Sequence, residues 1–346
     1  MESISYSEEK KLLPTFYSLK KIMFILLSIT IGSCYSIESD CDFFWERTSG
    51  PNNVYLVAVA SKGDIWAVTY SDGVSSLTTV YLSTDNGDTW VKKNNGLTGT
   101  AIYYMAISPI NGYLFVNGSS GLFRSTDRGE NWIYVNVGIT SVSDILITPS
   151  GEIYLATYKT VFYSNDNGDT WIEKNDGLSS NEEISSFALG RDGTLYAGTI
   201  RGGVYRSTNN GDTWLAPSNY TNAFVVALTV SDDGSVFAAT NDYTGFLKST
   251  DRGVTWNQFQ IHAGLDVEHV YSIIYNPITK DIFVSDCLKN TENWMIHRST
   301  DLGESWEVKN NGLPNKTGIS SFAFNPNTGQ MYIATNHGVY RSRNYP

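Results

Sequence analysis

The chain has 346 residues, 41% hydrophobic, 17% charged and 13% aromatic, which excludes a disordered chain and allows one large core or two ordinary domains. With 22 Tyr and 30 Gly it suits an all-β protein of short strands and tight turns. The formal net charge of −11 repels phosphate backbones and anionic lipid surfaces, which argues against nucleic acid or a bare membrane as partner.

The first 36 residues stand apart. Lys20 and Lys21 precede an apolar run at 22–31, and Gly32, Ser33, Cys34, Tyr35 and Ser36 follow. A basic flank, a short apolar run and small residues behind it read as a cleavable export signal, with an N-terminal anchor or a buried segment as the alternative. The run is short for a bilayer span. Ile31-Gly32-Ser33-Cys34 resembles a bacterial lipoprotein box, which makes Cys34 the candidate for lipidation and a lipid the one route to a membrane. Cys41 and Cys287 are then a candidate disulfide, which export permits.

From residue 83 one pattern repeats, S-x-D-x-G-x-T-W. It stands at 83–90, 125–132, 164–171, 207–214, 249–256 and 299–306, so its starts are 42, 39, 43, 42 and 50 residues apart. A period of that size is one propeller blade. A seventh copy opens at Ser342 as S-R-N where the chain ends, and Phe44-Trp45-Glu46-Arg47 supplies its missing half. The reading is therefore an export segment at 1–36 and a single seven-bladed β-propeller at 37–346. Each blade has four antiparallel strands, and the N-terminal strand closes the last, which removes two open edges.

Each unit divides alike. An inner strand such as Ile184-Ser185-Ser186-Phe187 runs to a tight turn such as Arg191-Asp192-Gly193, where Asp-Gly tolerates positive φ. A second strand such as Leu195-Tyr196-Ala197-Gly198 follows, then a third that enters the box and a fourth that starts at the box Trp.

These residues resemble the Asp-box, or BNR, repeat, and the likeness covers almost the whole exported chain. The superfamily includes sialidases, xyloglucan-cleaving hydrolases, sortilin-type receptors and the photosystem II assembly propeller; the assembly propeller and each propeller of the xyloglucan hydrolases have seven blades. The box by itself argues for structure. Asp85, Asp127, Asp166, Asp251 and Asp301 can cap the turn between strands three and four, and Asn209 in the same place can accept the same bond. The box Trp is an apolar wedge between blades.

Function is expected on the opposite face, in the strand two–three loops and the links between blades. Tyr70, Arg201, Asp242, Tyr243 and Trp294 are the binding candidates there, with Trp294 able to stack on a sugar ring or to pack under its own loop. The segment 286–294 reads as the longest of these loops and accounts for the 50-residue spacing. Lys159, Glu182, Glu183, Glu268 and His269 lie in neighbouring loops or links, and Tyr243, His269 and His337 are the bases available to a lyase. Asp72 and Asp286 are the candidate carboxylate pair, since blades one and six flank blade seven and a glycosidase needs two carboxylates about 5–10 Å apart.

A sialidase needs an arginine triad, and only Arg201 of the ten arginines is placed for one. Arg124, Arg206, Arg298 and Arg341 precede a box Ser with the period and read as structural. No nucleophile triad, phosphate loop or Cys/His spacing calls for a cofactor or metal. The expected function is thus a monomeric, exported, non-catalytic module that binds a protein or glycan. The alternative is a carbohydrate-active enzyme, glycoside hydrolase or polysaccharide lyase, working at the central mouth. Asn117, Asn219 and Asn315 open N-glycosylation sequons.

Overall fold

The computed structural model describes residues 43–70, 78–97, 100–138, 142–179, 182–241, 245–259, 267–288 and 294–343, with backbone alone at 267–269 and 288. The export segment with Cys34 lies outside the described residues, as do Cys41, Asp72, Asp242 and Tyr243.

All regular structure among the described residues is strand. After β1 (Phe44–Arg47), blade one is β2 (Val54–Val59), β3 (Ile65–Thr69), β4 (Thr79–Ser83) and β5 (Val91–Lys92). Blade two is β6 (Ile102–Ile107), β7 (Leu114–Gly118), β8 (Gly121–Ser125) and β9 (Ile133–Val135). Blade three is β10 (Asp144–Ile147), β11 (Ile153–Ala156), β12 (Val161–Ser164) and β13 (Ile172–Glu173). Blade four is β14 (Ile184–Leu189), β15 (Leu195–Thr199) and β16 (Val204–Ser207), its fourth strand reduced to the bridge Arg206–Leu215. Blade five is β17 (Val225–Val230), β18 (Val236–Thr240), β19 (Phe246–Ser249) and β20 (Asn257–Phe259). Blade six is β21 (Val267–Asn276), β22 (Asp281–Leu288), β23 (Trp294–Ser299) and β24 (Glu307–Val308). Blade seven is β25 (Ile319–Phe324), β26 (Met331–Thr335) and β27 (Gly338–Arg343), completed by β1.

The protein is an all-β, seven-bladed propeller of antiparallel blades. β1 pairs with β27, with Trp45 opposite Ser342 and Arg47 opposite Tyr340. First strands of successive blades neighbour one another, and β2 packs on β25 to close the ring. A blade stacked between two others has no wet face, so its second strand is apolar throughout instead of alternating. Hence IWAVT, VFAAT and MYIAT are buried at every position, while the outermost strands β5, β13 and β24 are exposed at both residues.

The box is a self-contained turn. Ser83 Oγ donates to Asp85 Oδ1 (2.8 Å) and accepts the Gly87 N–H (2.8 Å); Asp85 accepts the Thr89 N–H (2.8 Å) and hydroxyl (2.6 Å). Asp127, Asp166, Asp251 and Asp301 repeat this. At Asn209 the amide oxygen accepts the Thr213 N–H (3.0 Å) and the amide nitrogen donates to its hydroxyl (2.9 Å).

Blades are riveted on this face. Arg124 donates to the Asn167 carbonyl and Asp169 of the next box, and Arg341 does the same to Asn86 and Asp88, so both arginines are structural. Lys174 and Lys248 grip Asp212 and Glu304 in the same way. Blades one, three and six end in a turn that the sequence reading passed over, N-x-G-L. Asn95, Asp176 and Asn311 there accept the N–H of the next box Trp, and a Cβ on Gly177 would lie 2.1 Å from the Trp214 carbonyl oxygen.

Candidate functional site

The opposite face is shaped by a device the repeat did not reveal. In blades one, two, four, five and seven the innermost strand slips register at its second residue, and in blade six it slips twice, at the second residue and again at the fifth, Tyr271. Such a bulge re-aims one side chain. The residues so placed are Tyr55, Tyr103, Ser185, Val226, Tyr271 and Ser320, with Ser143 in the corresponding place of blade three. Some of their hydroxyls tie the blades together: Tyr55 donates to the Ile102 carbonyl, Ser143 to Ile184 and Ser185 to Val225. Tyr103 and Tyr271 stand 52% and 45% exposed.

Tyr70, at the end of β3, is 59% exposed and its ring lies 4.4 Å from that of Tyr55. Together with Thr78, Tyr103, Tyr104 and Ser143 these rings line a cleft of about 460 Å³ across blades one to three. A second aromatic pair, Tyr271 and Trp294 at 4.2 Å, stands on blade six. Trp294 is half-buried and opens β23, so it sits on a strand and packs under its own neighbourhood while keeping one side open.

Asp144 was not expected. It opens β10, and its Oδ2 accepts the Phe187 N–H of blade four (2.6 Å) while Oδ1 accepts the Ile145 N–H (2.8 Å). Burial pushes the carboxyl up to about 6, against the two N–H bonds that favour its charge. Burial, then the charges of Asp144 and Glu183, raise the Tyr104 phenol. Burial likewise raises Tyr55. A lone acid after Ser143 carries no signal in one sequence; the strand position it shares with Ser186 and Ser321 is the clue.

The structure corrects the reading of Asp286. It is fully buried on β22, not in a loop, beside Val284 on the face packed toward blade five, with His297 at 3.2 Å. In blade six β21 and β22 run to ten and eight residues, so 286–288 belong to a strand. Asp286 therefore cannot face a carboxylate across the mouth without unpacking the blade. Cys287 is buried beside it, in register with Trp294. Arg201 is exposed in its loop, and Lys159 lies over the adjacent Tyr158 ring. Glu182 and Glu183 are half-buried, His337 offers its carbonyl to Arg47, and the side chains of Glu268 and His269 are outside the description. Two sequons are structural: Asn117 is fully buried, and the Asn219 amide bonds both the N–H and the carbonyl of Trp256. Asn315 is exposed.

Seven blades closed by the N-terminal strand, plain on one face and variable on the other, define a β-propeller with its candidate site at the loop face. Residues 42–178 and 146–285 each match the DUF6242 beta propeller domain, and the chain belongs to that family. No curated protein sequence matches. Among solved structures the chain is similar to YCF48 bound to D1 peptide, at 12% identity and a TM-score of 0.67 over 91% of this chain and 100% of that one. It is similar to the GH74 xyloglucanase from Xanthomonas campestris, at 15% identity and a TM-score of 0.69, covering 88% of this chain and 54% of that one, so it spans about half the enzyme. A virginiamycin B lyase from Staphylococcus aureus gives 15% identity and a TM-score of 0.69, with 87% and 98% covered. At these identities the likeness is one of fold.

Proposed function

We propose that the chain is an exported, non-catalytic binding module of the Asp-box superfamily that recognises a protein or glycan through its strand two–three and inter-blade loops. The observation that carries this is the asymmetry of the two faces. The box face spends its charged groups on inter-blade grips, whereas the loop face presents Tyr70, Tyr103 and Tyr271 with Trp294 around the mouth. Exposed, rigidly mounted aromatics are what a binding surface uses, because they offer large contact area at low entropic cost. YCF48, similar in fold, is known with a bound peptide.

The test is a glycan and peptide array probed with the exported chain, with Tyr70→Ala and Trp294→Ala on the loop face and Asp169→Ala on the box face. A ligand lost with a loop-face change and kept with the box-face change supports the reading. Silence on both arrays, or loss with Asp169→Ala alone, overturns it.

The enzyme alternative has one observation in its favour, the raised Asp144 carboxyl. Both its oxygens already hold backbone N–H groups, which suits a wall better than a proton donor. Chain shortening of an array glycan, abolished by Asp144→Asn, would favour catalysis over binding.

A further inference from the structure

The cleft on blades one to three has a chemistry that selects its occupant. Tyr55, Tyr70, Tyr103 and Tyr104 line it, and among the described residues no Lys, Arg or His does. Beyond Tyr104 stand Asp144 and Glu183, close enough for both charges to act on its phenol. An aromatic ring carries negative charge on its face and attracts a cation, the more so where water is partly excluded. An anion placed here would meet a tyrosine-rich lining backed by two acidic groups that act on Tyr104, with no cationic side chain among the described lining residues. A neutral sugar could stack on the rings but would gain no charge attraction from the carboxylates. The chain as a whole, at a net charge of −11, steers cations toward itself.

Resting on the binding-module reading, we propose that this cleft is a cation cage for the lysine or arginine side chain of a protein partner. Tyr55, Tyr70, Tyr103 and Tyr104 form its walls, and Asp144 and Glu183 supply the counter-charge. Tyr103 and Tyr70, the most exposed of the four, form the entrance, and Tyr104 couples the cage to the carboxylates. The groups around Asp144 are Tyr104 from blade two, the Phe187 N–H from blade four and the Ile145 N–H of its own strand, and Glu183 acts on the same Tyr104 phenol. A bound cation therefore favours the ionised Asp144, and binding strengthens as pH rises through the range in which that carboxyl titrates.

The experiment titrates the whole exported chain, followed by NMR or calorimetry, with acetyl-Gly-Arg-Gly-amide and acetyl-Gly-Lys-Gly-amide. The citrulline and norleucine peptides serve as neutral counterparts, and a methyl glucoside as the sugar probe. The expected result is saturable binding of the cationic peptides, several-fold tighter than their neutral counterparts. It weakens several-fold between pH 7.5 and pH 5, is lost roughly tenfold in Tyr103→Ala and is kept in Tyr103→Phe. Tyr103 is half in solvent, so its replacement leaves the fold intact, and a thermal melt checks this. Equal binding of citrulline or norleucine, tighter binding of the glucoside, or no saturation by either cationic peptide overturns the cage. If the cage fails while an array ligand is still lost with Trp294→Ala, the binding-module reading stands; if the arrays are silent as well, both fall.

Discussion

Asp144 makes the ring's stability depend on pH in a way that one substitution isolates. Its carboxyl titrates at about 6 in the folded protein, against an ordinary 3.8. That is a rise of about two units, each worth about 1.4 kcal/mol. The folded chain thus holds this proton more tightly than the unfolded one, and the contribution is fully present below pH 3.8 and lost as pH rises to about 6. The loss totals about 3 kcal/mol, or somewhat less because the residue is not wholly shielded from solvent. Asp144→Asn removes the titration but keeps only one good acceptor for two N–H groups, at a cost of about 1 kcal/mol. The variant should therefore be close to the parent near pH 4 and more stable by about 1–2 kcal/mol at pH 8. Denaturant unfolding of both proteins at pH 4, 5, 6, 7 and 8 measures the gap, and groups common to both cancel. A gap that stays constant across that range, or a variant that is weaker at pH 8, would refute the account of burial as the dominant influence on this carboxyl.

The box carboxylates should give the opposite pH response. Thr89 and Ser83 hold Asp85 down to about 2, and Thr170 and Ser164 do so for Asp166, so this stability is present above pH 3.8 and disappears as pH falls toward 2. Thermal melts between pH 2 and 5 should show Tm dropping steeply, and a flat profile counts against the capping role. The box tryptophans should differ among themselves: the Trp214 indole N–H donates to the Lys174 carbonyl, whereas that of Trp256 is buried with no acceptor among the described residues. Trp214→Phe should then cost about 1 kcal/mol more than Trp256→Phe in denaturant unfolding, and equal costs would remove the bond from the account. Trp45 is fully buried in the closing strand and its N–H reaches the Lys309 carbonyl, so Trp45→Ala should cost about 3–5 kcal/mol and open the ring at the junction of blade seven. Hydrogen exchange in β1 and β27 would report that opening, and unchanged protection there would contradict closure by this strand.

What could be read from the residues in order was whatever is decided within a few residues. Each box closes on itself through bonds spanning two to four positions, Ser83 to Asp85 and Asp85 to Thr89, so its eight residues announce a turn wherever they occur. Six copies at blade spacing, with half a copy at each end, then fix seven blades and their closure, because an unpaired edge is costly. The mouth is a different matter. Whether a side chain on an inner strand faces a neighbouring blade or the opening depends on a one-residue bulge, and a one-residue shift reverses the pleat. So Tyr55, Tyr103 and Tyr271 looked like ordinary strand residues until the register was seen. Asp144 meets Phe187 across 43 positions of chain, and its raised carboxyl arises from packing that no local pattern encodes. Asp286 was misplaced for the converse reason: β22 and β23 pair as far as Cys287 and Trp294, and the hydrogen-bonded ladder buries a residue that spacing alone had put in a loop. Sequence determined the scaffold through short-range turn chemistry, and tertiary packing alone decided which of its side chains reach the mouth.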